Sequence, residues 1–188
     1  MGRPSVRQRI LDAVSALLKD EGAAALTTRA VAQRAGVTEA SIFNNFGNKA
    51  GLLRALVEEA LPQYAELRQR LEAAPEPGLE DWLVEVFLAA RAFFAALLPL
   101  AGAALATPVA GPAGEPELFF GHRALVKRLR QFRNAGTLDP AVDIPAFALL
   151  LLGAAMHAAM TGLTLGRSAL GGGNRQLARR LVQSLLRT

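Results

Sequence analysis

Between Thr38 and Lys49 the chain sets out side chains suited to meet a nucleic-acid duplex: Thr38, Glu39, Ala40, Ser41, Phe43, Asn44, Asn45 and Lys49. A hydroxyl can donate to a phosphate oxygen. A carboxylate can accept from cytosine N4, and an amide can pair with N6 and N7 of adenine. Small residues such as Ala40 help differently, by letting a helix backbone sit close to the duplex. Such reading works only if these groups stand together on one rigid element that faces solvent.

Residues 27–49, TTRAVAQRAGVTEASIFNNFGNK, supply that element as two short helices joined at Gly36. The pattern predicts Thr28 as the cap of a first helix with Val31, Ala32 and Ala35 inward, and Gly36 as the left-handed residue that stops it. Val37 plugs the turn. Thr38 then caps a second helix with Glu39 in its first turn and Ile42 and Phe46 inward, which makes this helix the candidate reader. Upstream, Ile10, Leu11, Val14, Leu17 and Leu18 form a stripe at helical spacing closed by Gly22, predicting a support helix over 5–21. Arg3, Arg7 and Arg9 at its start are expected to meet phosphates as a basic arm. Downstream, Asn48 is expected to cap a helix whose first turn holds Lys49, where an ammonium and free backbone N–H groups can receive a phosphate.

The stretch TTRAVAQRAGVTEASIFNNFGNKAGLLRAL resembles the TetR family of bacterial transcriptional regulators, with matches at Thr28, Gly36, Val37, Phe46 and Lys49. It departs from the family pattern at Phe43, where a tyrosine hydroxyl usually contacts a phosphate, and at Asn45, where a histidine is common. Loss of one hydroxyl contact is worth roughly 0.5–1.5 kcal/mol, which weakens a many-contact site without abolishing it. The resemblance implies a DNA-binding dimer with a second helical domain that takes a small effector.

A chain of 188 residues has room for a small DNA-binding domain and one larger core. Its 52% apolar content with only 6% aromatics, dominated by Ala and Leu, favours helix throughout. The expected fold class is therefore all-α, and the resemblance implies a helix-turn-helix DNA-binding domain over 1–48 and a helical effector-binding and dimerisation domain over 49–188. A net charge of +5 suits a polyanionic partner. The absence of cysteine excludes disulfides, thiolate zinc sites and cysteine nucleophiles, and agrees with a cytoplasmic setting. Two histidines and no carboxylate cluster predict no metal and no cofactor, and no nucleophile-and-base pairing points to an enzyme. The charged, then amphipathic N-terminus is unlike a secretory signal.

Residues 49 to about 73 read as a long helix bent or broken at Pro62, and 74–78 as a turn. A helix over 79–98 is expected to end at Pro99, with a short helix near 101–106 and a loop running to Pro116. Residues 117–135 read as a basic amphipathic helix, with Leu118, Leu125, Leu129 and Phe132 inward and Arg123, Lys127, Arg130 and Arg133 toward water. The run 144–165 is apolar enough to be taken for a membrane span, but Pro145, His157 and Thr161 and the lack of an aromatic belt favour burial at a subunit interface. After GGGN at 171–174, a last helix carries Leu177, Leu181, Val182 and Leu185 on one side and Arg175, Arg179, Arg180 and Arg187 on the other.

The family resemblance implies that helices 144–165 and 174–187 pair with their copies in a homodimer, as two reading helices must enter successive major grooves roughly 34 Å apart on a near-palindromic operator. It also implies an effector pocket, for which the aromatic, methionine and isolated polar residues Trp82, Phe87, Arg91, Phe94, Phe120, Met156, His157 and Met160 are candidates, beside Phe93 and Phe119. The expected partners are a double-stranded DNA operator, a second copy and a small, largely apolar effector, with no membrane. The expected function is a ligand-responsive repressor. The alternative is a helical protein whose segment 144–165 inserts in lipid or binds another chain.

Overall fold

The computed structural model describes residues 4–72, 78–105, 120–165 and 173–187, with the backbone alone at residues 23, 49, 50, 53, 100–105 and 120. Every regular element among them is helical. The chain divides into two compact units, residues 1–62 with 96–114 and residues 63–95 with 115–188.

The first unit opens with α1, Val6–Glu21, capped by the Ser5 hydroxyl, which accepts from the Gln8 N–H at 3.1 Å. Gly22 closes it at φ 79°, a conformation that costs a residue without Cβ little. A short 3-10 turn at Ala23–Ala25 leads to α2, Thr28–Ala35, and then α3, Glu39–Phe46. Next come α4, Lys49–Ala55, and a π-helical segment, Leu56–Ala60. Ile10, Leu11, Val14, Leu17, Leu26, Val31, Ala32, Ile42, Leu52, Ala55 and Leu56 form one buried cluster. At about 1.5–3 kcal/mol for each large aliphatic side chain, that burial holds three short helices which would be marginal alone. The cluster takes in Leu52, Ala55 and Leu56, so packing runs past the sequence boundary drawn at 48.

The π segment changes which residues pack inward. With Leu52, Ala55 and Leu56 inward, an α-helical period would bring position 59 inward next, and that residue is a glutamate. The wider turn delays the inward face by about one residue, so Ala60 and Leu61 pack on the cluster and Glu59 stays exposed. The long helix expected from residue 49 then stops outright. Leu61 is extended (φ −94°, ψ 106°), as residues before proline tend to be, and Pro62 opens α5.

In the second unit, α5 (Pro62–Glu72) precedes α6, Leu79–Leu105, whose residues up to 95 belong here. The remaining helices are α7 (Phe120–Asn134), α8 (Ile144–Thr164) and α9 (Asn174–Leu186), with α8 packed against both α7 and α9. Trp82 is buried, donates its indole N–H to the Arg70 carbonyl at 2.9 Å and meets the Phe132 ring edge-on at 5.1 Å. Leu125, Leu129 and Phe132 are buried on α7 while Arg123, Lys127 and Arg130 face water. Arg175 on α9 pairs with Glu85 at 2.6 Å, and Gln183 donates to Glu80 at 2.8 Å, so part of the polar side of α9 is spent on α6.

Two expectations need correction. Helix α6 does not end at Pro99 but runs through it to Leu105, and the separate short helix near 101–106 is its continuation. Proline removes a single N–H, and the surrounding run of Leu and Ala favours helix strongly enough to carry past it. The turn over 74–77, the loop over 106–116, residues 117–119 with Leu118 and Phe119, and Gly171–Gly172 lie outside the described residues.

Candidate nucleic-acid interface

The candidate reading helix, α3, is built from caps and ties. Thr27, not Thr28, caps α2: its hydroxyl accepts from the Ala30 N–H at 3.1 Å. Thr28 is the first helical residue, and its hydroxyl donates to the Glu39 carboxylate at 2.7 Å, linking the starts of α2 and α3. Gly36 stops α2 in the left-handed region (φ 63°, ψ 42°), and the Val37 N–H returns to the Ala32 carbonyl at 3.0 Å. Thr38 caps α3, accepting from the Ser41 N–H at 3.2 Å and lying 2.9 Å from the Ser41 hydroxyl. Glu39 in that first turn is also favoured by the positive end of the helix.

On α3, Ile42 is the buried anchor at 1% exposure and Phe46 packs partly against the same cluster. Glu39, Ala40, Phe43 and Asn44 are exposed on the same short helix, offering an acceptor, a methyl, an aromatic ring and an amide. Phe43 keeps 46% of its surface in solvent. Asn45 differs from its neighbours: it is half-buried and its amide donates to the Ser41 carbonyl at 2.7 Å, so that donor is occupied within the helix. Asn48 accepts from the Gly51 N–H at 2.8 Å, while the side chain of Lys49 lies outside the described residues.

Of the basic arm expected from Arg3, Arg7 and Arg9, Arg3 lies outside the described residues and the other two are tied internally. Arg7 spans both oxygens of Glu59, with Nε to Oε2 at 3.1 Å, donates through Nη1 to the Asn45 carbonyl at 2.8 Å, and lies 4.5 Å from the centre of the Phe46 ring. The Arg7 guanidinium holds the Glu59 carboxyl below the usual glutamate range, and Glu59 in turn raises Arg7. Arg9 donates to the Gly36 carbonyl at 3.1 Å. These partners are up to 52 residues away in sequence, so spacing alone does not reveal them.

Two further residues come forward only in the structure. Arg29 is exposed next to Thr28, and a cation beside two hydroxyls at a helix start is the signal that could have found it. Gly51 lies so close to the Phe46 carbonyl that a Cβ there would overlap it, and no local pattern marks that approach.

The effector candidates differ in exposure. Trp82 and Phe87 are buried, Arg91 and Phe94 are half-buried, and Met156, His157 and Met160 are exposed on α8. The side chain of Phe120 lies outside the described residues. No group of three metal-ligating side chains occurs among the described residues.

A short capped helix that follows a left-handed glycine turn on a second short helix is the geometry of a helix-turn-helix. Residues 10–56 match the family described as "Bacterial regulatory proteins, tetR family". Over this domain the chain is similar to the TetR family. It is 49% identical over 57 residues to the uncharacterized HTH-type transcriptional regulator YvkB of Bacillus subtilis, a match covering 30% of each chain. The chain thus spans under a third of the length of the curated relatives it matches. Whole-chain fold likeness extends further. GusR of Salmonella enterica aligns with a TM-score of 0.68 at 21% identity, covering 97% of this chain and 96% of that one. FadR of Bacillus subtilis, solved with stearoyl-CoA, aligns at 0.64 and 17% identity, covering 95% and 97%.

Proposed function

We propose that this chain is a cytoplasmic, ligand-responsive transcriptional repressor that binds a near-palindromic operator as a homodimer. The observation that carries the reading is the exposed surface of α3, with Glu39, Ala40, Phe43 and Asn44 presented from a TetR-family helix-turn-helix. Glu39 and Asn44 read base edges, while Thr28, Thr38, Ser41 and Lys49 position the domain on phosphates. Phe43, lacking a hydroxyl, contributes apolar contact. Asn45, with its amide engaged, has the smallest part.

Dimerisation is supported by α8, where Leu149, Leu150, Met156, Met160 and Leu163 are all exposed, an apolar stripe that calls for cover. A copy of α8 and α9 is the proposed cover. An effector of apolar character is supported by the aromatic content of α6 and by a fold neighbour described with stearoyl-CoA. The competing reading, insertion of α8 in lipid, draws on the same stripe, since α8 is long and apolar enough to cross a membrane.

Selection of bound fragments from random duplex DNA tests the proposal. Recovery of an inverted repeat with half-sites about one helical turn apart supports it. Recovery of no preferred sequence, or partition of the chain into detergent-extracted membranes, contradicts it.

A further inference from the structure

The guanidinium of Arg7 sits where three elements of the first unit meet. Its Nε and Nη2 grip both oxygens of Glu59 in the π segment, Nη1 donates to the Asn45 carbonyl near the end of α3, and its face lies over Phe46. A planar fork with five donors can hold three neighbours at fixed angles, which a lysine ammonium cannot do. Glu59 occupies its place because the π turn carries it to the rim rather than into the core, as argued from Leu56, Ala60 and Leu61. In the turn between α2 and α3, Arg9 holds the Gly36 carbonyl. Two arginines of α1 thus tie the end of the reading helix and the turn that precedes it.

We propose that Arg7, locked by Glu59, is a positioning residue that sets the angle of α3 against the DNA and does not itself bind phosphate. The proposal rests on α3 being the reading helix. It gives the π segment a role in reading, because the wide turn supplies the carboxylate that aims the clamp. Reversion of that segment to an α-helical period would turn Glu59 toward the core and release Arg7.

The test compares the full-length wild type with Glu59→Gln and Arg7→Lys on two probes, a duplex recovered by selection and a random-sequence duplex of equal length, across a salt series. Positioning predicts that each variant loses about five- to tenfold affinity for the selected duplex. Affinity for the random duplex and the salt slope stay as in wild type, because no phosphate contact has been lost. Faster amide exchange at the end of α3 in both variants, with thermal midpoints near wild type, places the effect on the clamp rather than on folding. Tighter binding by Glu59→Gln to both duplexes, as expected if it frees Arg7 for phosphate, overturns the proposal, as does unchanged binding by Arg7→Lys. A wild type that binds no selected duplex overturns the reading of α3 itself and this role with it. That outcome differs from failure of the clamp alone, in which wild type and variants bind alike.

Discussion

The two units use their side chains in opposite ways. In the first, several polar groups near the reading helix have partners within the unit: Thr27 and Thr38 cap, Thr28 meets Glu39, Arg7 ties the end of α3 and Arg9 the turn before it. In the second, α8 is apolar on nearly every side and leaves Leu149, Leu150, Met156, Met160 and Leu163 exposed. A unit whose apolar core is supplemented by directional bonds around one short helix presents that helix at one angle. A unit held by apolar bulk, with an apolar stripe to spare, is equipped to associate. On the proposed function, specificity and association fall to separate parts of the chain.

The largest expected effect sets the two kinds of apolar residue against each other. Ile42→Ala removes a side chain 1% exposed in the first core and should cost about 2–5 kcal/mol of stability, read by thermal or urea unfolding. Leu150→Ser, at a position 57% exposed, should leave the protomer within about 0.5 kcal/mol yet shift sedimentation toward the monomer. A Leu150→Ser protein that unfolds as readily as Ile42→Ala would break the comparison. Next comes Gly51→Ala, expected to cost about 1–3 kcal/mol because the added methyl meets the Phe46 carbonyl, a backbone atom unable to rotate away.

Asn44→Ala and Lys49→Ala sharpen the division within the first unit. The former should lose about 1–3 kcal/mol at one base pair and relax specificity there. The latter should weaken all sequences alike and reduce the salt slope by about 1. Competition with single-base operator variants separates the two. The smallest effect is pH dependence from the Arg7–Glu59 pair. Because folding lowers the Glu59 carboxyl, its contribution is complete above the usual glutamate range and is lost only as pH falls through the depressed value. Both side chains are 41% exposed, so the loss is modest, and Glu59→Gln should abolish this component of the acid limb of a stability profile.

Much of the first unit is legible from local chemistry, because a glycine turn and a threonine cap act on residues three or four positions away. The choice between Thr27 and Thr28 is not, since adjacent threonines satisfy the same cap pattern. The fates of Arg7 and Arg9 are hidden for a different reason: their partners lie across the fold, and a basic run reads the same whether it meets phosphate or a carboxylate. The π segment leaves only a faint mark, a glutamate where the α-helical period wants an apolar residue. In the second unit the difficulty is phase. A helix such as α8, apolar all round, has no periodic contrast to say which side is covered, and only the structure shows Met156 and Met160 exposed while Ala155, Ala158 and Ala159 are buried.

The junction at Gly51 bears on how such a domain can be altered. The Phe46 carbonyl at the end of α3 and the Gly51 backbone in α4 meet there with no room for a methyl between them, and the Asn48 amide oxygen closes the same joint. The joint has no room for a shim, so any retuning of how the reader is presented has to come from a distance, through the residues that brace it.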